Sequence, residues 1–223
     1  MTKKLFVSAI SKFLLGVVLV GLLLFLPAGT VRWPGGWLLM AILFLPMFAA
    51  GIFMMVKNPA LLQSRLKAKE EQRTQQAVVK LSGLMFLCGF ILAGLDFRHG
   101  WFPLPDWVRY LAAALFLAAY LLYAEVLREN TWLSRTIEVQ EGQQVVDRGL
   151  YGIVRHPMYA VTLVLFLSMP LVLGSLIAMG AFLAYPFLIT ARIRNEEQVL
   201  EKELAGYAEY QKKVRWRLIP YLW

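Results

Sequence analysis

The sequence predicts an all-α integral membrane protein. It reads as about six transmembrane helices, the last two a helical hairpin, with a cytoplasmic loop before that hairpin and a C-terminal interfacial amphipathic helix. Three observations predict this. Hydrophobic residues make up 59% of the chain and charged residues 17%, a balance outside that of ordinary soluble domains. The apolar residues fall in blocks near the roughly 20 residues that a helix needs to cross hydrocarbon. The cations are segregated: of 23 Lys and Arg, only Arg32, Arg98 and Arg109 lie in the alternate loops. That is the positive-inside pattern of a chain with both termini cytoplasmic and an even number of crossings. The net charge of +9 therefore reports topology and attraction to anionic membrane lipids. It does not signal nucleic acid, since no groove-reading motif accompanies it.

The apolar blocks run, in order, over Leu5–Leu26, Trp37–Val56, Val78–Leu95, Trp107–Leu127, Tyr159–Leu173 and Ser175–Ala191. The first is long for a signal-peptide core and lacks a small-x-small cleavage site, so it is read as retained. Pro27, Gly29 and Pro34 turn the chain between the first two blocks, with Trp33 and Trp37 suited to the interface. Asn58-Pro59 opens a cytoplasmic helix near 58–76, with Asn as cap and Pro in the first turn. Blocks three and four are joined by Asp96–Pro105, whose His99 is given no role. Cys88, the only cysteine, allows no intrachain disulfide and no cysteine-based metal site. It reads as a buried packing thiol. Residues 1–127 thus form a first region and 128–223 a second, catalytic one.

In the second region, Thr136, Ile137, Val139, Val145 and Val146 favour extended structure around Gly142. The segment 128–154 is read as a cytoplasmic loop with a short hairpin-like excursion. From Met158 to Ile193 the only charged residue is Arg192. One straight helix over that stretch would be roughly 54 Å long, against a hydrocarbon core of about 30 Å. Pro170 and Gly174-Ser175 supply a turn near its middle, so the stretch doubles back. Beyond Glu197, Val199, Leu200, Leu204, Tyr207, Gln211 and Val214 share a helix face, as in a helix lying on a membrane. The terminal run Arg215–Trp223 mixes cations and aromatics as interface anchors do.

Doubling back brings two charged strings to one membrane face: Arg155-His156-Pro157-Met158-Tyr159 and Arg192-Ile193-Arg194-Asn195-Glu196-Glu197. Each has a plain reading of its own. Arg192 and Glu196 are four apart and share a face, which alone describes a helix end with surface ion pairs. Arg155 can snorkel, and His156-Pro157 can simply open a helix. The hairpin-length apolar link between them points instead to a site. Glu196 and Glu197 point about 100° apart, so only one of them can face a given ligand.

Together, Gly149-Leu150-Tyr151, Arg155-His156-Pro157-Met158-Tyr159 and Glu196-Glu197 before an amphipathic tail resemble the isoprenylcysteine carboxyl methyltransferase family and the related membrane phospholipid methyltransferases. The upstream run Glu129-Asn130-Thr131 through Gln143 resembles its prokaryotic members, which implies a prokaryotic inner (plasma) membrane. The resemblance implies S-adenosylmethionine as methyl donor, with S-adenosylhomocysteine as product. It implies a lipid-like or prenylated small-molecule acceptor drawn from the bilayer, with no metal and no nucleic acid. It places the cofactor on Gln140, Gln143, Gln144, Val145, Val146, Tyr151, His156, Pro157, Met158, Tyr159 and Glu196. Arg192 is implied as the substrate-side catalytic arginine. Arg155 is a second catalytic candidate, binding the cofactor carboxylate or ordering the loop. The eukaryotic members' Arg-Val-Pro string is replaced here by Lys213-Val214-Arg215.

Methyl transfer to a carboxylate suits these residues. The acceptor is already ionised, so no general base is needed, only alignment and exclusion of water. Three rivals share features. A phospholipid N-methyltransferase would keep the cofactor but must deprotonate an ammonium. A sterol-type reductase using NADPH carries a similar Arg-His-Pro-x-Tyr element, usually with Asn where Met158 stands. A non-catalytic membrane scaffold would use the charged strings as anchors.

Overall fold

The structure is a computed structural model that describes residues 3–66, 73–134 and 136–223. These residues are helical with connecting loops and hold no strand. The long elements are α1 (Lys3–Ala28), α2 (Pro34–Lys57), α4 (Arg73–His99) and α5 (Asp106–Glu129), with a short α3 (Pro59–Leu66) between the second and third of them. Then come α6 (Pro157–Leu173), α7 (Leu176–Phe182), α8 (Tyr185–Glu203) and α9 (Tyr207–Lys213). The described residues include five segments long and apolar enough to cross a membrane: Leu5–Ala28, Pro34–Lys57, Gln75–His99, Asp106–Glu129 and Leu176–Glu203. Pro157–Leu173 is a sixth, shorter apolar helix. The protein is a multi-pass membrane protein.

The core of the bundle is the α5–α6 pair. Ala112, Ala113 and Ala119 are buried on α5, and such small residues let helix axes approach closely where water provides no driving force. α1 closes on α4 at Gly94, where a Cβ would lie 2.7 Å from the Leu24 carbonyl oxygen. Leu14, Leu15, Val18, Leu19, Leu22 and Leu26 on α1 are exposed, as lipid-facing residues are. Cys88 is also exposed on α4, so it meets the surroundings of the bundle rather than its core. The burial expected from its apolar neighbours fails because α4 is only partly enclosed.

The hairpin turns where the sequence places it. α6 ends at Gly174 in the left-handed conformation (φ 77°). Ser175 then caps α7, its Oγ accepting from the Ala178 amide at 3.1 Å. The same hydroxyl donates to buried Asp96 at 2.5 Å, and Asp96 also accepts from the Phe102 amide at 3.0 Å. The Leu104 amide donates to the Gly174 carbonyl at 3.4 Å. The α4–α5 loop and the α6–α7 turn are thereby pinned together at one end of the bundle. The returning arm breaks at Leu183–Ala184 into α7 and α8, because Pro186 has no amide hydrogen to give the preceding turn.

Asn58 caps α3 as expected, its Oδ1 accepting from the Leu61 amide at 3.1 Å. The helix expected near 58–76 partly falls on 67–72, which lie outside the described residues. From residue 73 the chain belongs to α4. The hairpin-like excursion is a turn without a ladder. Gly142 takes φ 73°, and the Gln143 amide donates to the Gln140 carbonyl at 3.0 Å. Its flanking Val139 and Val145 pack instead, alongside Leu200, against Leu204, Tyr207, Tyr210 and Val214. The amphipathic tail therefore differs from the expected membrane-lying helix. Gly206, at φ 83°, parts α8 from α9, and the apolar face folds onto the loop, where Val139 and Val145 already offer it apolar cover.

Candidate active site

At the bundle end opposite the Asp96 pin, the loop, the start of α6 and the end of α8 surround a cleft. Its walls include Gln143, Gln144, Val145, Val146, Tyr151, Arg155, His156, Met158, Tyr159, Arg192 and Glu196. The unfilled space of this slot is about 800 Å³ with the open mouth counted. Two residues of the predicted set stand outside the lining. Gln140 spends its side chain on the loop, donating to the Trp132 carbonyl at 2.5 Å. Pro157 opens α6.

The two adjacent acids on α8 part company as the helical geometry requires. Glu197 is buried, 3% exposed, and faces a cluster of donors. Arg155 Nε donates to it at 2.7 Å, Arg217 Nε at 2.7 Å, and His156 Nε2 lies 3.2 Å away. Arg155 also donates to the carbonyls of Val214 and Arg215 at 2.8 and 2.9 Å. The backbone follows suit: the Arg155 amide donates to the Trp216 carbonyl at 2.8 Å and the His156 amide to the Arg217 carbonyl at 2.9 Å. The chain's last segment is thus folded back across the Arg-His-Pro turn. The Lys213-Val214-Arg215 string meets Arg155 through backbone carbonyls, which any side chain would leave available.

Glu196 faces the cleft. The Tyr159 hydroxyl donates to it, and Arg192 Nε donates to the same hydroxyl at 2.9 Å. Arg192 Nη1 reaches Gln75 Oε1 at 3.1 Å. The His156 ring stacks on Tyr159 with centroids 5.7 Å apart.

The Gly149–Gly152 turn positions Tyr151. Gly149 has φ 55°, and a Cβ there would fall 1.4 Å from Glu129 Oε1. The absence of a side chain lets the Glu129 carboxylate accept from the Leu150 amide at 2.9 Å. Tyr210 donates to the Tyr151 carbonyl at 2.7 Å. Burial pushes the hydroxyls of Tyr151, Tyr207 and Tyr210 above the ordinary tyrosine range, with Glu197 and Glu196 adding to the effect at Tyr207. All three remain neutral donors at physiological pH. The Tyr151 hydroxyl is buried beside Asn130. The Tyr207 hydroxyl, at the cleft wall, has no hydrogen-bond partner among the described residues. Such a buried donor carries a cost that a ligand acceptor would remove.

Residues 110–202 match the isoprenylcysteine carboxyl methyltransferase (ICMT) family. This bears out the resemblance carried by the Arg-His-Pro-Met-Tyr and Glu-Glu strings. The matched segment begins within α5 and ends within α8, so it contains the loop, the hairpin and both adjacent acids. Two curated relatives also match. The Delta(14)-sterol reductase TM7SF2 of Mus musculus is 36% identical over 91 residues, 40% of this chain and 22% of the relative. A Delta(14)-sterol reductase of Methylotuvimicrobium alcaliphilum is 27% identical over 137 residues, 55% of this chain and 32% of the relative. The chain spans under a third of the length of each.

Sequence reasoning missed several contributors. Tyr207 and Leu204 carry an amphipathic pattern that by itself describes a membrane surface. Glu197 was legible as one of two acids, but its partner Arg217 lies 20 residues away with no periodic link. Gln75 gave no signal at all.

Proposed function

We propose that this protein is an S-adenosylmethionine-dependent methyltransferase. It transfers a methyl group to the carboxylate of a lipid-like or prenylcysteine-like acceptor at the cytoplasmic face of a prokaryotic inner membrane. The observation that carries the reading is the Glu196–Tyr159–Arg192 chain of hydrogen bonds. It sets an acid and a base four residues apart on α8 into one slot, with the Arg-His-Pro turn closing its side. The ICMT-family match supports it.

The residues fit the implied cofactor. Glu196 would hold its ammonium or ribose hydroxyls, the orphan Tyr207 hydroxyl offers a donor, and Gln143 to Val146 with Tyr151 and Met158 form walls against which adenine can lie. When bound, the cofactor would supply a sulfonium methyl group for in-line transfer to a carboxylate oxygen, with the neutral thioether of S-adenosylhomocysteine as leaving group. Arg192 orients that carboxylate through its planar donors. Arg155 acts at one remove: with Glu197 and Arg217 it holds the loop and the tail in register. His156 Nε2 is engaged with Glu197, which supports an acceptor that needs no proton removed over an amine. The crossing pattern of the cations supports a cytoplasmic site and cytoplasmic termini.

A second reading, an NADPH-dependent sterol-type reductase, is favoured by the names of the two curated relatives. Titration calorimetry in detergent separates the two. S-adenosylhomocysteine should bind and NADPH should not; the reverse result hands the site to the reductase. Incubation with labelled methyl donor and membrane lipid extract then identifies the acceptor, since an ester label is base-labile and an amine label is not.

A further inference from the structure

Gln75 lies in the first turn of α4, outside every motif, and is completely buried (0% exposed). Its carboxamide is oriented by chemistry: an arginine only donates, so the atom facing Arg192 Nη1 must be the oxygen, at 3.1 Å. The amide nitrogen then points at α8, donating to Asn195 Oδ1 at 2.5 Å and toward the Arg192 carbonyl at 3.4 Å. One side chain thus ties α4 to α8 across more than a hundred residues of sequence. Among the described contacts the Arg192 guanidinium is held at Nε by Tyr159 and at Nη1 by Gln75. Two points and planarity fix the plane of the group. A planar fork recognises a carboxylate by two parallel hydrogen bonds only when its plane is correctly set.

We propose that Gln75 is a positioning residue that sets the plane of Arg192 and so gives the site its preference for a planar carboxylate over an uncharged isostere. This rests on the carboxylate-methyltransferase reading. Loss of one hydrogen bond to a charged group corresponds to about 10- to 100-fold in binding.

The test is calorimetry on the detergent-solubilised chain with S-adenosylhomocysteine present, comparing an N-acylated S-farnesylcysteine with its carboxamide. The wild-type protein should bind the acid at least about 10-fold more tightly than the amide. Gln75→Met, of similar shape but without polar atoms, should bring the two within about threefold while S-adenosylhomocysteine affinity changes less than about threefold. Gln75→Glu should weaken the acid and leave the amide unchanged, a charge-sensitive result that a packing role would not give. Should Gln75→Met fail to fold, Asn195→Ala releases the nitrogen side alone and should narrow the preference about threefold. If the wild type prefers the acid and these variants keep that preference, Gln75 does not set it and the functional reading stands. If the wild type shows no preference, or does not bind S-adenosylhomocysteine, the inference falls with the reading it rests on.

Discussion

Replacing Glu197 with alanine removes the acceptor shared by Arg155, His156 and Arg217. Both Arg155 and Glu197 are nearly inaccessible, with side chains 6% and 4% exposed. The guanidinium left behind therefore cannot recover its hydration. Breaking a buried ion pair from one side costs about 3–5 kcal/mol, and in a chain of this size each kcal/mol moves the unfolding midpoint by about 2–4 °C. The expected drop is on the order of 10 °C, read by thermal unfolding in detergent. Arg217 is the least enclosed of the three donors, 37% exposed, and its removal should cost much less. Glu196→Ala, one residue earlier, is the matched control. It faces the cleft, so it should weaken S-adenosylhomocysteine binding by about 10- to 100-fold and leave the midpoint within about 3 °C. If Glu197→Ala leaves the midpoint unmoved, or if both variants lose stability alike, the division of the two acids into a structural and a ligand-facing one is wrong.

Arg192→Ala should preserve S-adenosylhomocysteine affinity and abolish methyl transfer; equal loss of both would show that the arginine serves the cofactor. Gly149→Ala drives a Cβ into the Glu129 carboxylate at a positive φ and should cost about 1–3 kcal/mol, visible as faster proteolysis of the 128–154 loop and weaker cofactor-product binding. Tyr207→Phe should weaken S-adenosylhomocysteine by about 5- to 10-fold without lowering the unfolding midpoint, because the wild-type hydroxyl has no protein partner to lose. Lys213→Ala removes only an exposed pair with Asp147 and should leave the unfolding midpoint unchanged within measurement error.

The helical hairpin was legible because its signals are local. An apolar stretch too long for one crossing, interrupted by Pro170 and Gly174-Ser175, admits few foldings. The contents of the slot were legible through two short strings, one carrying Tyr159 and the other carrying Arg192 and Glu196 at helical spacing. What stayed hidden depends on contacts between distant segments. Asp96 looked like a loop residue, yet it is buried by the Ser175 hydroxyl and the Phe102 amide. The apolar face of Leu204, Tyr207 and Val214 has the pattern of a lipid-facing helix; periodicity tells that a face is covered, not by what. Gln75, a neutral polar residue before an apolar block, looks like any helix start until α8 is laid beside it.

The fold-back of the tail also sets an order of manufacture. Arg155 leaves the ribosome well before the carbonyl of Val214, 59 residues later. At about 5–20 residues per second, the Arg-His-Pro turn waits roughly 3–12 s for the segment that completes it. The slot can therefore close only after the whole of α6, α7 and α8 has been synthesised.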